Sequence, residues 1–265
     1  MRGRLVVCPT PIGNLEDVTL RVLRVLAEAD VIACEDTRHT RKLLDRHGIA
    51  GARLVSYHEH NERARAGELA TRIESGEIVA LVTDAGTPAV SDPGFVLLRE
   101  CVGRGLDVEI LPGPSAVLTA LVASALPMDR WRFAGFLPRK AGALRAELEQ
   151  GEETLVAFES PGRLPKTLAL LAEMDPQREV AVCRELTKLH EEVVRGPARE
   201  VAERFAAGAR GEIVLVIGPG EEGARGKSEA RAAVEALVEA GARRRAAAKI
   251  VSELTGVPAN QLYRD

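Results

Sequence analysis

The stretch Asp84-Ala85-Gly86-Thr87-Pro88-Ala89-Val90-Ser91-Asp92-Pro93-Gly94 gathers carboxylates, hydroxyls, glycines and prolines into one segment. Gly86 and Gly94 permit backbone angles or close approaches that a Cβ forbids, and Pro88 and Pro93 hold the path in shape. The apolar run Ile78-Val79-Ala80-Leu81-Val82 before it reads as a buried strand, and Phe95-Val96-Leu97-Leu98 after it opens a helical pattern. A rigid polar loop so placed lies at the carboxyl edge of a sheet, where open α/β sheets bind ligands. The same residues also describe an ordinary strand-to-helix turn with Pro93 in the first helical turn. The loop gains meaning from its company.

Several other strand-like runs end in reactive side chains. Cys34-Glu35-Asp36-Thr37-Arg38 reads either as a helix start whose acids suit the helix dipole or as part of a site. His58-Glu59-His60-Asn61-Glu62 tempts a metal reading. Histidines at i and i+2 on a helix face different ways, though, and no third ligand is evident, so a polar, substrate-facing patch is the better reading. Leu137-Pro138-Arg139-Lys140, Glu159-Ser160-Pro161-Gly162-Arg163 and Arg184-Glu185-Leu186-Thr187-Lys188 each follow a strand and carry bases beside acids, hydroxyls or prolines. One such cluster is ordinary solvated surface; three at strand ends suggest a basic cleft. Gly218-Pro219-Gly220-Glu221-Glu222-Gly223 satisfies GxGxxG, but two glutamates would face a pyrophosphate and no helix obviously starts there. It reads as a linker. No Walker A sequence occurs, which excludes a P-loop mechanism.

The elements that must position these groups come in two textures. Residues 1 to about 115 read as β-α-β-α-β-α-β-α-β, an open, mostly parallel sheet with helices on both faces. The strands are Leu5–Cys8, Val31–Cys34, Leu54–Tyr57, Ile78–Val82 and Asp107–Leu111. After a linker near Ala123–Met128 comes a mixed α/β region with strands at Trp131–Phe136, Thr154–Phe158, Val180–Cys183, Glu191–Arg195 and Glu212–Ile217, including a hairpin-like pair. Gly218–Gly226 reads as a glycine-rich hinge, followed by helices over 229–240 and 243–254 and a last turn after Pro258. The expected domains are therefore 1–118, 119–220 and a small helical tail over 227–265.

Composition bounds the function classes. The chain has 265 residues, 46% of them hydrophobic and 28% charged, as in water-soluble globular proteins. Its net charge of -3 argues against overall attraction to nucleic acid, although a local basic surface is what counts. Ala224–Asp265 has eight Lys/Arg against five Asp/Glu and so runs basic. Cys8, Cys34, Cys101 and Cys183 are scattered among apolar runs and read as core thiols rather than disulfides or metal ligands. With no secretory leader and no membrane-spanning stretch evident, a cytoplasmic setting is expected.

Taken together, Pro9-Thr10-Pro11-Ile12-Gly13-Asn14-Leu15, Cys34–Arg38, Asp84–Gly94 and Leu111-Pro112-Gly113-Pro114-Ser115-Ala116 resemble the tetrapyrrole methylase superfamily. Glu159–Arg163 and Arg184–Lys188 narrow the resemblance to its bacterial branch that methylates ribose 2'-hydroxyls of 16S rRNA, with Gly162 standing where that pattern more often has histidine. The match covers residues 4 to about 218, and Ala246–Pro258 resembles the helical domain appended to those enzymes.

The resemblance implies a two-domain α/β fold that binds S-adenosylmethionine between its domains, usually as a homodimer. It implies methylation of a cytidine ribose in the decoding region of 16S rRNA, with the small ribosomal subunit as partner. Cofactor contacts would fall at Asp84, Gly86, Val90, Ser91, Ser115, Ala116, Phe158, Ile213 and Val214. A stiff loop of backbone amides and carbonyls suits a donor that carries a carboxylate, an ammonium and a sulfonium but no phosphate. The 2'-hydroxyl needs a base, for which Glu35, Asp36, Glu159 and Glu185 are candidates, with Lys188 if desolvation lowers its pKa. Arg38, Arg139, Lys140, Arg163, Arg184, Arg243, Arg244 and Arg245 would meet RNA, the last three unless they are simply a solvated helix face. Two alternatives stay open: another methyl acceptor on the same fold (a tetrapyrrole or a modified protein residue), or a non-catalytic RNA-binding protein.

Overall fold

The architecture comes from a computed structural model that describes residues 3–149 and 151–262, apart from the side chains of 221–228, 260 and 261. The chain forms two compact units: Met1–Ala123 with Cys183–Val193 and Gly211–Val214, and Ser124–Val182 with Val194–Arg210 and Leu215–Asp265.

In the first unit, strands β1 (Arg4–Val7), β2 (Val31–Cys34), β3 (Leu54–Ser56), β4 (Ile78–Val82) and β5 (Asp107–Ile110) alternate with helices α1 (Leu20–Glu28), α2 (Thr37–Arg46), α3 (Glu62–Glu74) and α4 (Phe95–Gly103), and α5 (Ala116–Ser124) follows β5. The strands lie in the order β3-β2-β4-β1-β5 with parallel pairing throughout. Side chains alternate across the sheet. Leu5, Val7, Val31, Ala33, Val79 and Leu81 pack against α3 and α4, whereas Val6, Cys8, Ile32, Cys34, Ala80 and Val82 pack against α1 and α2. That two-sided burial explains why β2 and β4 are uninterrupted apolar runs.

The register pairs Val7 with Leu81 and Ile110, and Cys34 with Ser56 and Val82. The loops after all five strands consequently leave from one edge. The connection from β2 leads toward β3 and that from β4 toward β5, on opposite faces, so the switch point of the topology lies between β2 and β4.

The second sheet, of mixed type, has the order β6-β7-β10-β8-β9, built from β6 (Trp131–Phe136), β7 (Thr154–Glu159), β8 (Glu179–Arg184), β9 (Glu192–Pro197) and β10 (Ile213–Ile217). Helices α6 (Ala141–Glu149), α7 (Leu164–Met174) and α8 (Ala198–Arg204) intervene. Arg178 is buried and donates to the carbonyls of Gly218 and Leu148 at 2.8 and 2.6 Å, tying the end of β10 to the end of α6.

The tail holds α9 (Glu221–Glu239), α10 (Arg244–Thr255) and α11 (Ala259–Leu262) around its own core of Ala230, Val234, Ala247, Ala248, Val251 and Leu262. Helix α9 begins inside the stretch read as a hinge over Gly218–Gly226, which corrects that reading. Residues 221–239 are dominated by Glu, Ala, Arg and Lys, and these strong helix formers outweigh the roughly 1 kcal/mol that each glycine costs. The GxGxxG side chains at 221–223 lie outside the described residues. No helix among the described residues is long and apolar enough to cross a membrane. All four cysteines are buried thiols outside any disulfide, and burial pushes Cys8 up to about 12.

Candidate functional site

At the carboxyl edge of the first sheet, the loops that leave β1, β2, β4 and β5 are tied to one another. Thr10 and Gly86 exchange backbone hydrogen bonds of 2.9 and 3.0 Å, and the buried Thr10 hydroxyl donates to the Thr83 carbonyl at 2.9 Å. The Thr87 hydroxyl donates to the Pro114 carbonyl at 3.3 Å, joining the β4 and β5 loops. Across the switch point, the Asp36 N–H donates to an Asp84 carboxylate oxygen at 3.0 Å. Gly113 faces Pro9 so closely that a Cβ would come within 2.6 Å of the Pro9 Cβ. The edge is a preformed polar rim, with Asp84, Gly86, Val90, Ser91 and Ser115 on its loops and Ala116 opening α5.

The 84–94 loop carries backbone strain. Gly86 has φ 79° and Gly94 φ 142°, but Ala89 at 71° and Ser91 at 65° also occupy the left-handed region without being glycine. Non-glycine residues are held there only where surrounding bonds over-determine them, and such positions cluster at functional sites. Val90 between them is exposed. Ser115 starts α5, its hydroxyl and carbonyl accepting from the Leu118 N–H and the Thr119 hydroxyl.

Three carboxylates converge near the switch point. Burial, then the neighbouring Glu35 and Asp84, push Asp92 up to about 7. Burial and then Asp84 also raise Glu35. Asp36 behaves oppositely: it caps α2, and its bonds from the Arg38 side chain and N–H hold it at about 2. Asp92 did not stand out in the sequence, because its environment is set by burial and then by Glu35 from the loop after β2. The signal available was its place two residues before Gly94 in the singled-out loop.

His58 lies near enough to Glu35 to influence it, and its Nδ1 is buried without a hydrogen-bond partner among the described residues. Among the described residues no three His, Cys, Asp or Glu side chains form a group that could hold a metal ion.

The segments 183–193 and 211–214 also belong to the first unit. Glu185 accepts from the Glu212 N–H at 2.8 Å and from Lys188 Nζ at 2.9 Å, and Lys188 also pairs with Glu212 at 3.1 Å. The Glu212 N–H and then Lys188 lower Glu185, while Lys188 is raised because its bonds to Glu185 and Glu212 outweigh desolvation. That direction is opposite to the one base chemistry at Lys188 requires. Glu185 and Thr187 also have left-handed φ values of 51° and 65°. Gly13 packs onto this turn, where a Cβ would lie 2.5 Å from Lys188 Cγ and 2.9 Å from the Leu186 carbonyl oxygen. Arg184 pairs with Glu192 at 3.1 Å, and Ile213 and Val214 are buried in β10.

In the second unit, Glu159 is buried with both carboxylate oxygens occupied. One accepts from the Ser160 N–H at 2.6 Å and Arg163 Nε at 2.7 Å, and the other from the Thr167 hydroxyl at 2.7 Å. Arg163 also donates to the Leu137 carbonyl at 2.9 Å. This carboxylate positions an arginine, and its side chain is only 1% exposed. Phe158 is half-buried, its ring 5.1 Å from Phe133 and 5.4 Å from Phe136.

The expected RNA contacts differ in exposure and pairing. Arg38 is 88% exposed and paired to Asp36, Arg139 and Lys140 are exposed, and Arg163 is held by Glu159. In the tail Arg243 and Arg245 are exposed, while Arg244 pairs with Glu235 at 2.7 Å.

The family of tetrapyrrole (corrin/porphyrin) methylases matches residues 4–202. A Mesorhizobium japonicum protein named ribosomal RNA small subunit methyltransferase I is 46% identical over 264 residues, covering 96% of this chain and 88% of that one. An Escherichia coli O157:H7 protein of the same name is 41% identical, covering 99% and 94%. In structure, the chain is similar to the uroporphyrin-III C-methyl transferase of Thermus thermophilus complexed with S-adenyl homocysteine. The TM-score is 0.55 at 23% identity, covering 82% of this chain and 97% of that one, which is a likeness of fold. The edge loops and all three basic clusters lie inside the matched span, and the chain belongs to the tetrapyrrole methylase family, in the group of relatives named ribosomal RNA small subunit methyltransferase I.

Proposed function

We propose that this chain is an S-adenosylmethionine-dependent methyltransferase of 16S rRNA that acts on the ribose 2'-hydroxyl of a cytidine in the decoding region. The observation that carries this reading is the tied polar rim at the sheet's carboxyl edge, in a chain 41–46% identical over most of its length to the rRNA methyltransferases above. The assembled small subunit is the substrate, and the enzyme works in the cytoplasm as a homodimer. Residues 1–118, 119–220 and 227–265 serve as its working domains.

When bound, S-adenosylmethionine supplies an electrophilic methyl group on a sulfonium. The rim fits such a molecule: Asp84, Glu35 and Asp92 favour positive charge, and a Cβ at Gly113 would press on the rim's own Pro9. Asp84, Gly86, Val90, Ser91, Ser115 and Ala116 hold it, joined by Phe158, Ile213 and Val214. Much of the acceleration comes from alignment, which the cross-linked loops supply.

The ribose proton needs an acceptor. Asp92, raised to about 7 by burial, Glu35 and Asp84, and Glu35, raised in the same direction, are the rim's candidate acceptors, since a base works best with a pKa near the working pH. Glu159 and Glu185 act as positioning groups for Arg163 and for the 185–188 turn. Arg38, Arg139, Lys140, Arg163, Arg184 and Arg243–Arg245 supply charge for phosphates.

The test is transfer of labelled methyl from S-adenosylmethionine to small subunits from cells lacking the modification, beside free 16S rRNA. Label in the subunits supports the reading. Cofactor binding with no label in either RNA would return the search to tetrapyrrole or protein acceptors.

A further inference from the structure

Strand β6 ends on an exposed phenyl ring, in a chain that is only 3% aromatic. Three of its five phenylalanines, Phe133, Phe136 and Phe158, meet at the ends of β6 and β7. In a regular strand, residues three apart point to opposite faces. Here the register shifts: Phe133 pairs with Val156 and Phe136 with Phe158, so Ala134 and Gly135 together oppose Ala157. Gly135 makes the shift with φ 65°. This bulge turns Phe136 onto the face of Phe133 and Phe158, and bulges often re-aim a side chain beside a site. Although it joins the cluster, Phe136 stays 62% exposed.

The ring is also rigidly mounted. The Leu137 N–H donates to the Phe158 carbonyl at 3.1 Å, and the Leu137 carbonyl accepts from Arg163, which buried Glu159 holds. Beyond it, Arg139 and Lys140 are exposed and have no acidic partner within 4.0 Å among the described residues, unlike Arg163 and Arg184. A fixed, exposed aromatic face beside two unneutralised cations is the chemistry that grips single-stranded nucleic acid, by base stacking and phosphate contact.

We propose that Phe136 is the stacking platform for one unpaired base of the RNA substrate, with Arg139 and Lys140 taking the adjoining phosphates. The proposal rests on the RNA reading above. A nucleotide that leaves its stack to expose its ribose loses base stacking, and Phe136 replaces part of it.

Phe136→Ala, Phe136→Leu and Phe136→Trp variants test this. The readouts are quenching of a single-stranded oligoribonucleotide carrying 2-aminopurine, KM for unmodified small subunits, calorimetric affinity for S-adenosylmethionine, and mass by light scattering. One base–aromatic stack predicts that Ala and Leu weaken oligonucleotide binding and raise KM by about 5- to 150-fold. Trp should restore both, with cofactor affinity and mass unchanged. Leu performing as well as Phe would overturn the proposal, because bulk rather than a π face would then suffice. A halved mass in the Ala variant would overturn it in favour of a contact with a second copy. A wild-type protein that binds cofactor but no RNA would overturn the RNA reading and this inference together, whereas RNA binding unaffected by all three variants would overturn the inference alone.

Discussion

Replacing Asp92 by Asn should change how both stability and cofactor affinity depend on pH. Asp92 is raised from an ordinary 3.8 to about 7 by burial, Glu35 and Asp84, with His58 the nearby base that acts on Glu35. The folded state therefore binds its proton more tightly than the unfolded state does. Stability is full below about 4, falls as pH rises toward 7, and levels off above. At 1.36 kcal/mol per unit the ceiling is about 4 kcal/mol. Asp92 is only partly buried, so solvent screening reduces this to roughly 1–2 kcal/mol, or roughly 2–8 °C in Tm. Asp92→Asn should remove that slope and melt higher than wild type at pH 8. Cofactor titration gives a second readout. A cationic ligand favours the ionised carboxylate, so wild-type affinity should rise with pH between 5 and 7, while Asp92→Asn stays flat. Parallel melting curves for the two proteins from pH 4 to 8 would show that Asp92 keeps an ordinary carboxyl affinity for its proton.

Removing the Glu159 side chain should act on stability first. Glu159→Ala leaves Arg163 without its buried partner and should cost about 3–5 kcal/mol, read as a fall in denaturation midpoint, and Glu159→Gln should cost less. Gly13→Ala should displace the 186–188 turn, because its Cβ meets the Leu186 carbonyl oxygen at 2.9 Å as well as two side chains. We expect a loss of about 1–3 kcal/mol and lower turnover, measured by thermal melting and methyl transfer. An Arg243→Ala, Arg245→Ala double variant should weaken RNA binding and flatten its salt dependence by about one unit of slope for each phosphate no longer neutralised. An unchanged slope would make that part of α10 a solvated face.

The sheet of the first unit was legible because β1, β2 and β4 are apolar runs followed closely by Pro or acidic residues, with β3 and β5 set apart from them by helical patterns. A parallel register then had to bring Thr10, Glu35, Asp84 and Ser115 to one edge. The roles of individual carboxylates were not legible. Glu159 and Glu185 looked available in sequence, yet Thr167 occupies one from a following helix turn and the Glu212 N–H the other from a distant segment. Asp92 looked like a turn residue because its neighbours in space are remote in sequence. Glycine density misled at 218–226, where helix propensity over the longer window prevails from Glu221 onward. The bulge at Gly135 left no trace in the alternation of β6, so Phe136 read as one more strand residue.

The identity of the atom that receives the methyl group separates this chemistry from base methylation. Small subunits lacking the modification would be incubated with the protein and labelled S-adenosylmethionine, and their 16S rRNA then digested to nucleosides and resolved by mass. Label is expected in 2'-O-methylcytidine from a single decoding-region position. Label confined to a methylated base, or to a different nucleoside, would contradict that expectation.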